Sequence, residues 1–484
     1  MKKITHARTK EILGVFEELS KIPRCSKHEE KICEWLLKWA DDHKFEAKLD
    51  EVGNVCIKVP ASKGYEKSPT VVLQGHVDMV CEKTPDSRHD FSKDPIKFVY
   101  DGDWLKADRT TLGADNGIAI AMALIAATDK TLKHPPFELL FTVDEETGLT
   151  GASSLKPGFI SGKILLNIDS EDEGYLTVGC AGGINTRIRL LVDSVKVPRT
   201  YESYTVMAGG MKGGHSGVDI HLQKANAIIG LARALNKIRS KTDLRISGFT
   251  GGTAHNAIPR DAEAQIFVPE ADAKLARSAV KEIENALKDE FGTTDPDLFI
   301  KVKVVKKAEY TAFSPEVSKK VLDVILALPH GVASMSKDIA GLVETSNNLA
   351  NVRIEDGIMT ILTSQRSSKV SSLMALTRRI EAVGELAGGI SVSGEGYPPW
   401  PPRMDSPLLK TCTKVYERLY KKKPVIDVIH AGLECGIIGD RTPGMDMISF
   451  GPTIKNPHSP DEKIHIGTIG LVWDFMEELF KELK

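Results

Sequence analysis

The stretch TLGADNGIAIAMALIAAT, residues 111–128, joins an acidic turn to an almost entirely apolar helix. Its apolar run, Gly117 to Ala127, is well short of the ~20 residues that cross a bilayer, so it predicts a helix buried inside a protein. Short β-branched and apolar runs predict strands at residues 54–59, 70–74, 137–143 and 163–168. Strands that alternate with a buried helix favour an α/β fold with a mostly parallel central sheet.

The 484-residue chain is too long for a single hydrophobic core, and the pattern of predicted strands and helices changes along it. Longer alternating strands begin after Gly183, and with the helices among them they predict an inserted α+β domain. The stretch YPPWPP, residues 397–402, fits neither a helix nor an inner strand and predicts a rigid crossing. We therefore expect a discontinuous α/β domain, residues 1–183 and 397–484, interrupted by the inserted domain at residues 184–396.

Charge and cysteine content restrict the classes of function. The 64 lysines and arginines nearly balance the 66 aspartates and glutamates, so no overall field attracts nucleic acid or an anionic membrane. Seven cysteines without CxxC spacing predict the reduced thiols of an intracellular protein. The N-terminal segment lacks the unbroken apolar stretch of a signal peptide, so we expect a cytoplasmic protein that takes small substrates or protein partners.

Five short polar motifs carry the residues that could perform chemistry. They are QGHVD at 74–78, TLGADNG at 111–117, VDEETG at 143–148, LNID at 166–169 and NPHSPDE at 456–462. Each motif alone is ambiguous, since His76 and Asp78 can form a purely structural pair and Asp115 can be the N-cap of the next helix. Acids and histidines at the carboxyl ends of several strands converge on one crevice of an α/β sheet, which favours a joint site.

His76 and Asp78 lie two positions apart at a strand end, so both side chains are expected to face the same way. A carboxylate that accepts the second ring N–H of a metal-bound histidine orients it, and we expect this role for Asp78. The acids from Asp144 to Glu146 repel one another unless a cation compensates them. If Glu145 and Glu146 continue the strand, they project in different directions, so one can bind metal while the other transfers protons.

The candidate ligands comprise two histidines and three or four carboxylates without cysteine, a set that suits Zn²⁺, Co²⁺ or Mn²⁺. Two ions fit this set better than one. If Asp115 bridges them, each ion receives one histidine, one further carboxylate and the bridge, with room for a shared water. A free glutamate can then take the proton of that water and pass it to a leaving amine.

Taken in order, these five motifs resemble those of the M20 family of metallopeptidases. The segments most similar to its aminoacyl-histidine (Xaa-His) dipeptidase branch are TTLGADNGIAIAMAL, FTVDEETGLTGA, LLNIDSEDEG, GGHSGVDIH, LVETSNNLA and HAGLECGIIG. The similarity spans nearly the whole chain, and so many separated matches in order are far more specific than a single motif. The resemblance implies a zinc-peptidase-like catalytic domain in the α/β part and a lid in the inserted domain.

The resemblance also implies two zinc ions, with Co²⁺ or Mn²⁺ as alternatives, that share Asp115 as a bridge. The implied ligands of one ion are His76, Asp115 and Asp169. Those of the other ion are Asp115, Glu146 and His458. Glu145 is then the general base and Asp78 the orienting partner of His76. A cis peptide bond is implied between Asp115 and Asn116.

The resemblance assigns the remaining site residues to the lid and to one further acidic position. His215 in GGHSG would face the oxyanion of the tetrahedral intermediate, with a helix-capping histidine as the alternative. Asn256 and Arg366 match positions that grip the substrate carboxylate, and Arg353 is a rival arginine. Glu434 matches an acidic position near the site. M20 relatives commonly associate through the lid, so a homodimer is also expected.

The sequence therefore predicts a two-metal dipeptidase that hydrolyses small Xaa-His dipeptides, carnosine-like substrates included. Two alternatives stay open. One is another M20 amidohydrolase, such as a tripeptidase or an aminoacylase, and the other is a non-catalytic binding protein on the same scaffold. Competent residues fill every ligand position and the position of the base, Glu145, which favours an enzyme.

Overall fold

The structure, a computed structural model, describes residues 6–305 and 310–484. The chain divides into two compact units: unit 1 comprises the residues up to Cys180 with Trp400–Val428 and Leu433–Lys484, and unit 2 comprises Ala181–Pro399 and Ile429–Gly432. Among the described residues, no helix has the length and apolar content that a membrane crossing requires.

Helices and strands are interspersed along the described residues. In chain order, the α-helices are α1 (Ala7–Leu19), α2 (Glu30–Asp42), α3 (Ala114–Thr128), α4 (Glu145–Gly148), α5 (Thr150–Ser154), α6 (Ala227–Arg239), α7 (Ala273–Phe291), α8 (Pro315–Ala327), α9 (Val370–Leu386), α10 (Pro407–Tyr420), α11 (Glu434–Arg441) and α12 (Ile466–Glu482). The strands are β1 (Glu46–Leu49), β2 (Val55–Val59), β3 (Val71–His76), β4 (Phe98–Asp101), β5 (Trp104–Ala107), β6 (Phe137–Thr142), β7 (Ile164–Asn167), β8 (Tyr175–Cys180), β9 (Gly182–Leu191), β10 (Ser194–Lys196), β11 (Tyr201–Gly209), β12 (Gly214–His215), β13 (Arg245–Gly251), β14 (Ala257–Ile258), β15 (Ala262–Pro269), β16 (Phe299–Val304), β17 (Thr311–Phe313), β18 (Gly331–Met335), β19 (Val343–Glu355), β20 (Ile358–Ser367), β21 (Ile390–Ser393), β22 (Val425–Ile429), β23 (Asp446–Ser449), β24 (Ile454–Lys455) and β25 (Lys463–His465).

Unit 1 is built on an eight-stranded sheet with the order β1-β2-β6-β3-β7-β23-β8-β22. The central pairs β3–β6, β3–β7 and β7–β23 are parallel, whereas β1–β2, β2–β6 and β8–β23 are antiparallel. The α/β fold predicted from the sequence is confirmed, and the sheet is mixed. Its parallel centre brings the carboxyl ends of β3, β6 and β7 to one edge of the sheet.

The buried helix predicted from the apolar run is α3, which packs against α1 and β3. Its side chains from Ile118 to Leu124 are at most 1% exposed, because the helix is apolar on every side. Gly75 allows the close approach of α3 to β3, since an added Cβ would lie 2.3 Å from Oδ1 of Asn116. This contact places the start of α3 beside the end of β3.

The prediction that all seven cysteines are reduced thiols is wrong for two of them. Cys25 and Cys81 form a disulfide across 56 positions of sequence, and the remaining five cysteines are buried. An isolated parallel bridge between Cys25 and Met79 brings the two segments together. Cysteine spacing could not indicate this pair, because the contact depends on tertiary structure.

Unit 2 is an α+β unit, as the sequence predicts. Its main sheet has the order β16-β11-β15-β13-β19-β20-β9-β21 with β18 paired to β19, and its strand pairs are antiparallel. Helix α6 buries Ile228, Leu231 and Leu235 in the core of this unit. The side chain of Asn226 caps α6 by accepting the N–H groups of Ile228 and Ile229.

We expect the partly buried imidazole of His330 to make the stability of unit 2 depend on pH. Its Nδ1 accepts the N–H of Leu349, and burial lowers the pKa of His330 to about 4. The unfolded chain has the ordinary pKa of about 6.5, so the native state loses free energy of unfolding as the pH falls from 6.5 toward 4. His330→Asn keeps an acceptor without this protonation. We expect urea denaturation to show about 2 kcal/mol of pH-dependent loss between pH 6.5 and 5 in the wild type that the variant lacks; equal slopes would contradict this.

Candidate metal centre

The predicted metal ligands of unit 1 lie together at the carboxyl ends of the parallel strands. His76 ends β3, Asp169 follows β7, Glu145 and Glu146 follow β6, Asp115 lies in the first turn of α3, and His458 follows β24. The peptide bond between Asp115 and Asn116 is cis, as the resemblance implies. Five separate segments of the chain therefore supply one cluster.

The carboxylate of Asp115 faces both histidines. Its Oδ1 lies 3.0 Å from Nε2 of His76, and its Oδ2 lies 3.1 Å from Nε2 of His458. The same nitrogen of His76 is 3.6 Å from Oδ1 of Asp169, and that of His458 is 2.9 Å from Oε2 of Glu146. Two triads result, each with its ligand atoms within 4.8 Å of one another, and Asp115 belongs to both.

Asp78 holds the other side of the His76 ring, with Oδ1 3.2 Å from Nδ1. Its carboxylate also accepts the hydroxyl of Ser26 at 2.8 Å and the backbone N–H groups of Glu145 and Glu146 at 3.1 and 3.2 Å. A carboxylate at Nδ1 fixes the ring so that Nε2 points at Asp115. Asp78 therefore orients His76 and also anchors the segment that carries the two glutamates.

The expectation that Glu145 and Glu146 continue a strand is wrong. Strand β6 ends at Thr142, Asp144 adopts a left-handed conformation with φ of 50°, and both glutamates lie in the one-turn helix α4. The carboxylate of Asp144 accepts the hydroxyls of Thr147 and Thr150. Oxygens of Glu145 and Glu146 both come within 4.8 Å of a His76 nitrogen. The helical turn, rather than strand alternation, separates these two acids.

Burial and charge shift the pKa values of this cluster in opposite directions. Burial raises the pKa of Glu145 and of Asp169 well above the ordinary carboxyl value. Burial alone would lower the pKa of His458, but its hydrogen bonds to Asp115 and Glu146 raise it to about 11. Four carboxylates gathered out of water thus require positive charge beside them.

Two divalent cations fit this requirement and these donors. Each triad offers one imidazole nitrogen and carboxylate oxygens without a thiolate, which suits Zn²⁺, Co²⁺ or Mn²⁺. The buried Oε1 of Glu146 has no hydrogen-bond partner among the described residues, so it is available as a ligand atom. The centre therefore offers donor groups for two metal ions, and the carboxylate of Asp115 belongs to both groups.

Three predicted site residues, His215, Asn256 and Arg366, belong to unit 2. Nδ1 of His215 accepts the N–H groups of Gly217 and Val218, so the ring proton of the neutral imidazole is on Nε2. The N–H of Ser216 donates to the carbonyl of Asn256 at 2.7 Å, because β12 pairs with β14. The structure therefore places His215 and Asn256 side by side.

Arg366 lies on β20 and is 5% exposed. Its Nη1 donates to the hydroxyl of Tyr397 at 2.7 Å, and its Nε has no hydrogen-bond partner among the described residues. On the neighbouring strand β19 its partner is Ser346, whose hydroxyl is 2.8 Å from Nε2 of His430. Burial and the charge of Arg366 lower the pKa of His430 to about 3, so this imidazole is neutral.

His430 was missed by the sequence analysis, although it opens the segment HAGLECGIIG. Both terminal nitrogens of the rival arginine, Arg353, donate to the backbone carbonyls of residues 251, 252 and 352 and to the hydroxyl of Thr250.

In unit 1, Glu434 is fully buried and accepts hydrogen bonds from Gln74 at 2.6 Å and Thr142 at 2.7 Å. It thus lies under the strands that lead to the metal ligands.

Two groups of donors that share one carboxylate, at the edge of an α/β sheet, fit a metal-dependent hydrolase that uses two ions. Comparisons with known proteins agree with this class. A model of the peptidase dimerisation domain of the M20 family matches residues 206–295. The cytosol non-specific dipeptidase of Escherichia coli (strain K12) is 40% identical over 100% of this chain and 99% of its own.

Solved structures give the same result. The aminoacylhistidine dipeptidase from Vibrio alginolyticus superposes with a TM-score of 0.88 at 40% identity, covering 98% of this chain and 96% of its own. The aminopeptidase PepT from Bacillus cereus shares the fold, with a TM-score of 0.56 at 17% identity over 98% of both chains. The chain belongs to the M20 family of metallopeptidases, in its Xaa-His dipeptidase branch. It is a hydrolase of peptide bonds.

The shared carboxylate of Asp115 predicts linked metal losses. Asp115→Asn should weaken the binding of both ions, because one oxygen faces each histidine, whereas Glu146→Gln alters the ligand set of one ion only. Calorimetric titration of chelator-treated protein with Zn²⁺ measures both equivalents. A variant Asp115→Asn that keeps one equivalent at wild-type affinity would contradict the bridge.

Proposed function

We propose that the chain is a dipeptidase that hydrolyses small dipeptides of the Xaa-His type, carnosine-like substrates included. The observation that carries the proposal is the carboxylate of Asp115 between the two histidine nitrogens, with the carboxylate of Glu145 beside His76. The two relatives that are 40% identical to this chain bear the names of a non-specific and an aminoacylhistidine dipeptidase. We propose zinc as the metal, with Co²⁺ or Mn²⁺ as possible replacements.

Each residue of unit 1 has a defined part in this proposal. His76 and Asp169 would hold one ion, Glu146 and His458 the other, and Asp115 both. Two bound ions would polarise the peptide carbonyl and make a water between them more acidic. Glu145 accepts the proton of the attacking water and delivers it to the amine that leaves. Glu434 stays a prediction as a residue that contributes to substrate binding.

Unit 2 would supply the groups that bind the substrate itself. His215 would donate a hydrogen bond from Nε2 to the oxyanion, which is supported by the two N–H groups that fix its Nδ1 as an acceptor. Arg366 would bind the carboxylate of the dipeptide, with Asn256 as a second contact. Nε of Arg366 has no hydrogen-bond partner among the described residues, so it can donate to a substrate. The terminal nitrogens of Arg353 already donate to backbone carbonyls, which favours Arg366 over Arg353.

We also propose a homodimer that forms through unit 2 and a cytoplasmic location. The match of residues 206–295 to a dimerisation domain supports the first, and the name of the Escherichia coli relative supports the second. Sedimentation equilibrium of the full chain tests the dimer. A single species with the 52.9 kDa mass of one chain would contradict it.

The substrate class is tested by a panel of dipeptides, tripeptides and N-acyl amino acids, assayed after addition of Zn²⁺, Co²⁺ or Mn²⁺. We expect hydrolysis of dipeptides with a C-terminal histidine, β-alanyl-histidine among them, and little hydrolysis of tripeptides. Release of acyl groups without cleavage of any dipeptide would show that the chain is an aminoacylase instead. Metal uptake without any turnover would favour a binding protein.

Glu145→Gln tests the general base. The amide cannot accept the proton, so we expect kcat to fall by roughly 10² to 10⁴-fold while both metal ions are retained. Steady-state kinetics on β-alanyl-histidine and metal analysis of the same preparation give the two readouts. Activity near that of the wild type would mean that another group takes the proton.

His215→Ala tests the oxyanion donor. Loss of one such donor costs roughly 10² to 10³-fold in kcat, and the metal content should not change. His221→Ala is the matched control, because this histidine of the same unit is exposed and its ring hydrogen-bonds to the nearby carbonyl of Val218. Equal kinetics of the two variants would sink the assignment of His215.

A further inference from the structure

The carboxylate of Glu462 is buried against the segment that leads into Asp115. Its side chain is 2% exposed. One oxygen accepts the N–H groups of Leu112 and Gly113 at 2.7 and 2.9 Å, and the other accepts those of Ala114 and Asp115 at 2.8 and 3.3 Å. Four consecutive backbone donors thus converge on a single carboxylate.

The carbonyl side of the same segment is held by a buried cation. Arg24 is 2% exposed, and its guanidinium donates to the carbonyl of Gly113 at 2.5 Å and to those of Val77 and Asp78 at 2.9 and 3.1 Å. The residue between the two charged groups must be glycine. Gly113 has φ of +69°, and an added Cβ would lie 2.5 Å from Nη2 of Arg24.

These contacts connect three segments of the metal centre. Glu462 lies four positions after His458, and its bonds end at the N–H of Asp115, while Arg24 reaches the backbone beside His76. Asn116 adds a further link, since its Nδ2 donates to the carbonyl of Ile168, next to Asp169, and its Oδ1 accepts the N–H of His76. None of these three side chains supplies a ligand to either triad.

We propose that Glu462 is a positioning residue of the metal centre, which aims the Asp115 carboxylate between the two histidines and ties the His458 segment to it. If the backbone from Leu112 to Asp115 changed its conformation, its N–H groups would lose the carboxylate and remain without hydrogen bonds in the interior. The segment therefore has one stable conformation. Without the carboxylate the segment can adopt other conformations. The site then binds both ions more weakly, because both would share Asp115. This role rests on the two-metal centre of the proposed function.

The test uses the full chain after metal removal with a chelator. Calorimetric titration with Zn²⁺ compares the wild type with Glu462→Gln and Glu462→Asp, and kinetics on β-alanyl-histidine follow after reloading. We expect both equivalents of Glu462→Gln to bind about 10 to 100-fold more weakly, as for other groups that orient metal ligands, with kcat reduced more than KM. Glu462→Asp keeps the charge but is one methylene shorter, so its loss should be smaller.

Glu138→Gln is the matched control. Glu138 is also a buried carboxylate that accepts backbone N–H groups, from Ser161 and Gly162, but it lies at the opposite end of the strands from the metal centre. The variant Glu138→Gln should have a lower melting temperature than the wild type and an unchanged affinity for metal.

Three outcomes separate the possible failures. Wild-type affinity for both ions in Glu462→Gln, with a melting temperature lowered as in Glu138→Gln, would reduce Glu462 to a structural residue. If Glu462→Gln does not fold, unchanged metal affinity in Glu462→Asp would overturn the proposal in the same way. A wild-type protein that binds no metal would instead contradict the proposed function.

Discussion

The contact of one carboxylate with two histidines from distant parts of the chain is the constraint on which unit 1 depends. Asp115 reaches His76 at the end of a central strand and His458 in a loop near the C-terminus. The parallel strands bring the first histidine and the acids to one edge, and the buried helix α3 brings the bridge. The contact of Asp115 with both histidines therefore requires the observed order of the strands and a loop near the C-terminus that brings His458 to the same edge.

Gathering these acids has an electrostatic cost that shapes the surrounding interior. Burial raises the pKa of Glu145 and Asp169, so these acids require positive charge beside them, which two bound metal ions would supply. Around them Asp78, Glu462 and Arg24 are each buried, and each is hydrogen-bonded to backbone groups. Such groups are stable out of water only when their hydrogen bonds are satisfied, so they fix the segments that carry the ligands.

Much of this arrangement could be predicted from the sequence, because the relevant signals are local. The apolar run of α3 and the strands before His76 and Asp169 follow from periodicity, and the motifs together indicate a metal centre. The resemblance added which acid bridges and which is the base. Those roles stay predictions until the metal sites are measured.

Features that depend on tertiary contacts could not be read in this way. The disulfide of Cys25 with Cys81 joins segments that only the fold brings together. The helical turn of Glu145 and Glu146 follows from the left-handed conformation of Asp144, for which the run of acids gives no signal. Arg24 and Glu462 look like ordinary surface charges in the sequence, and only their burial reveals that they grip the backbone.

Anomalous diffraction from crystals loaded with Zn²⁺ tests the shared bridge most directly, because it locates each ion relative to its ligands. We expect two zinc peaks per chain, each beside one oxygen of Asp115. One peak should have His76 and Asp169 as its further ligands, and the other Glu146 and His458. A single peak, or two peaks of which only one contacts Asp115, would contradict a dinuclear centre bridged by this carboxylate.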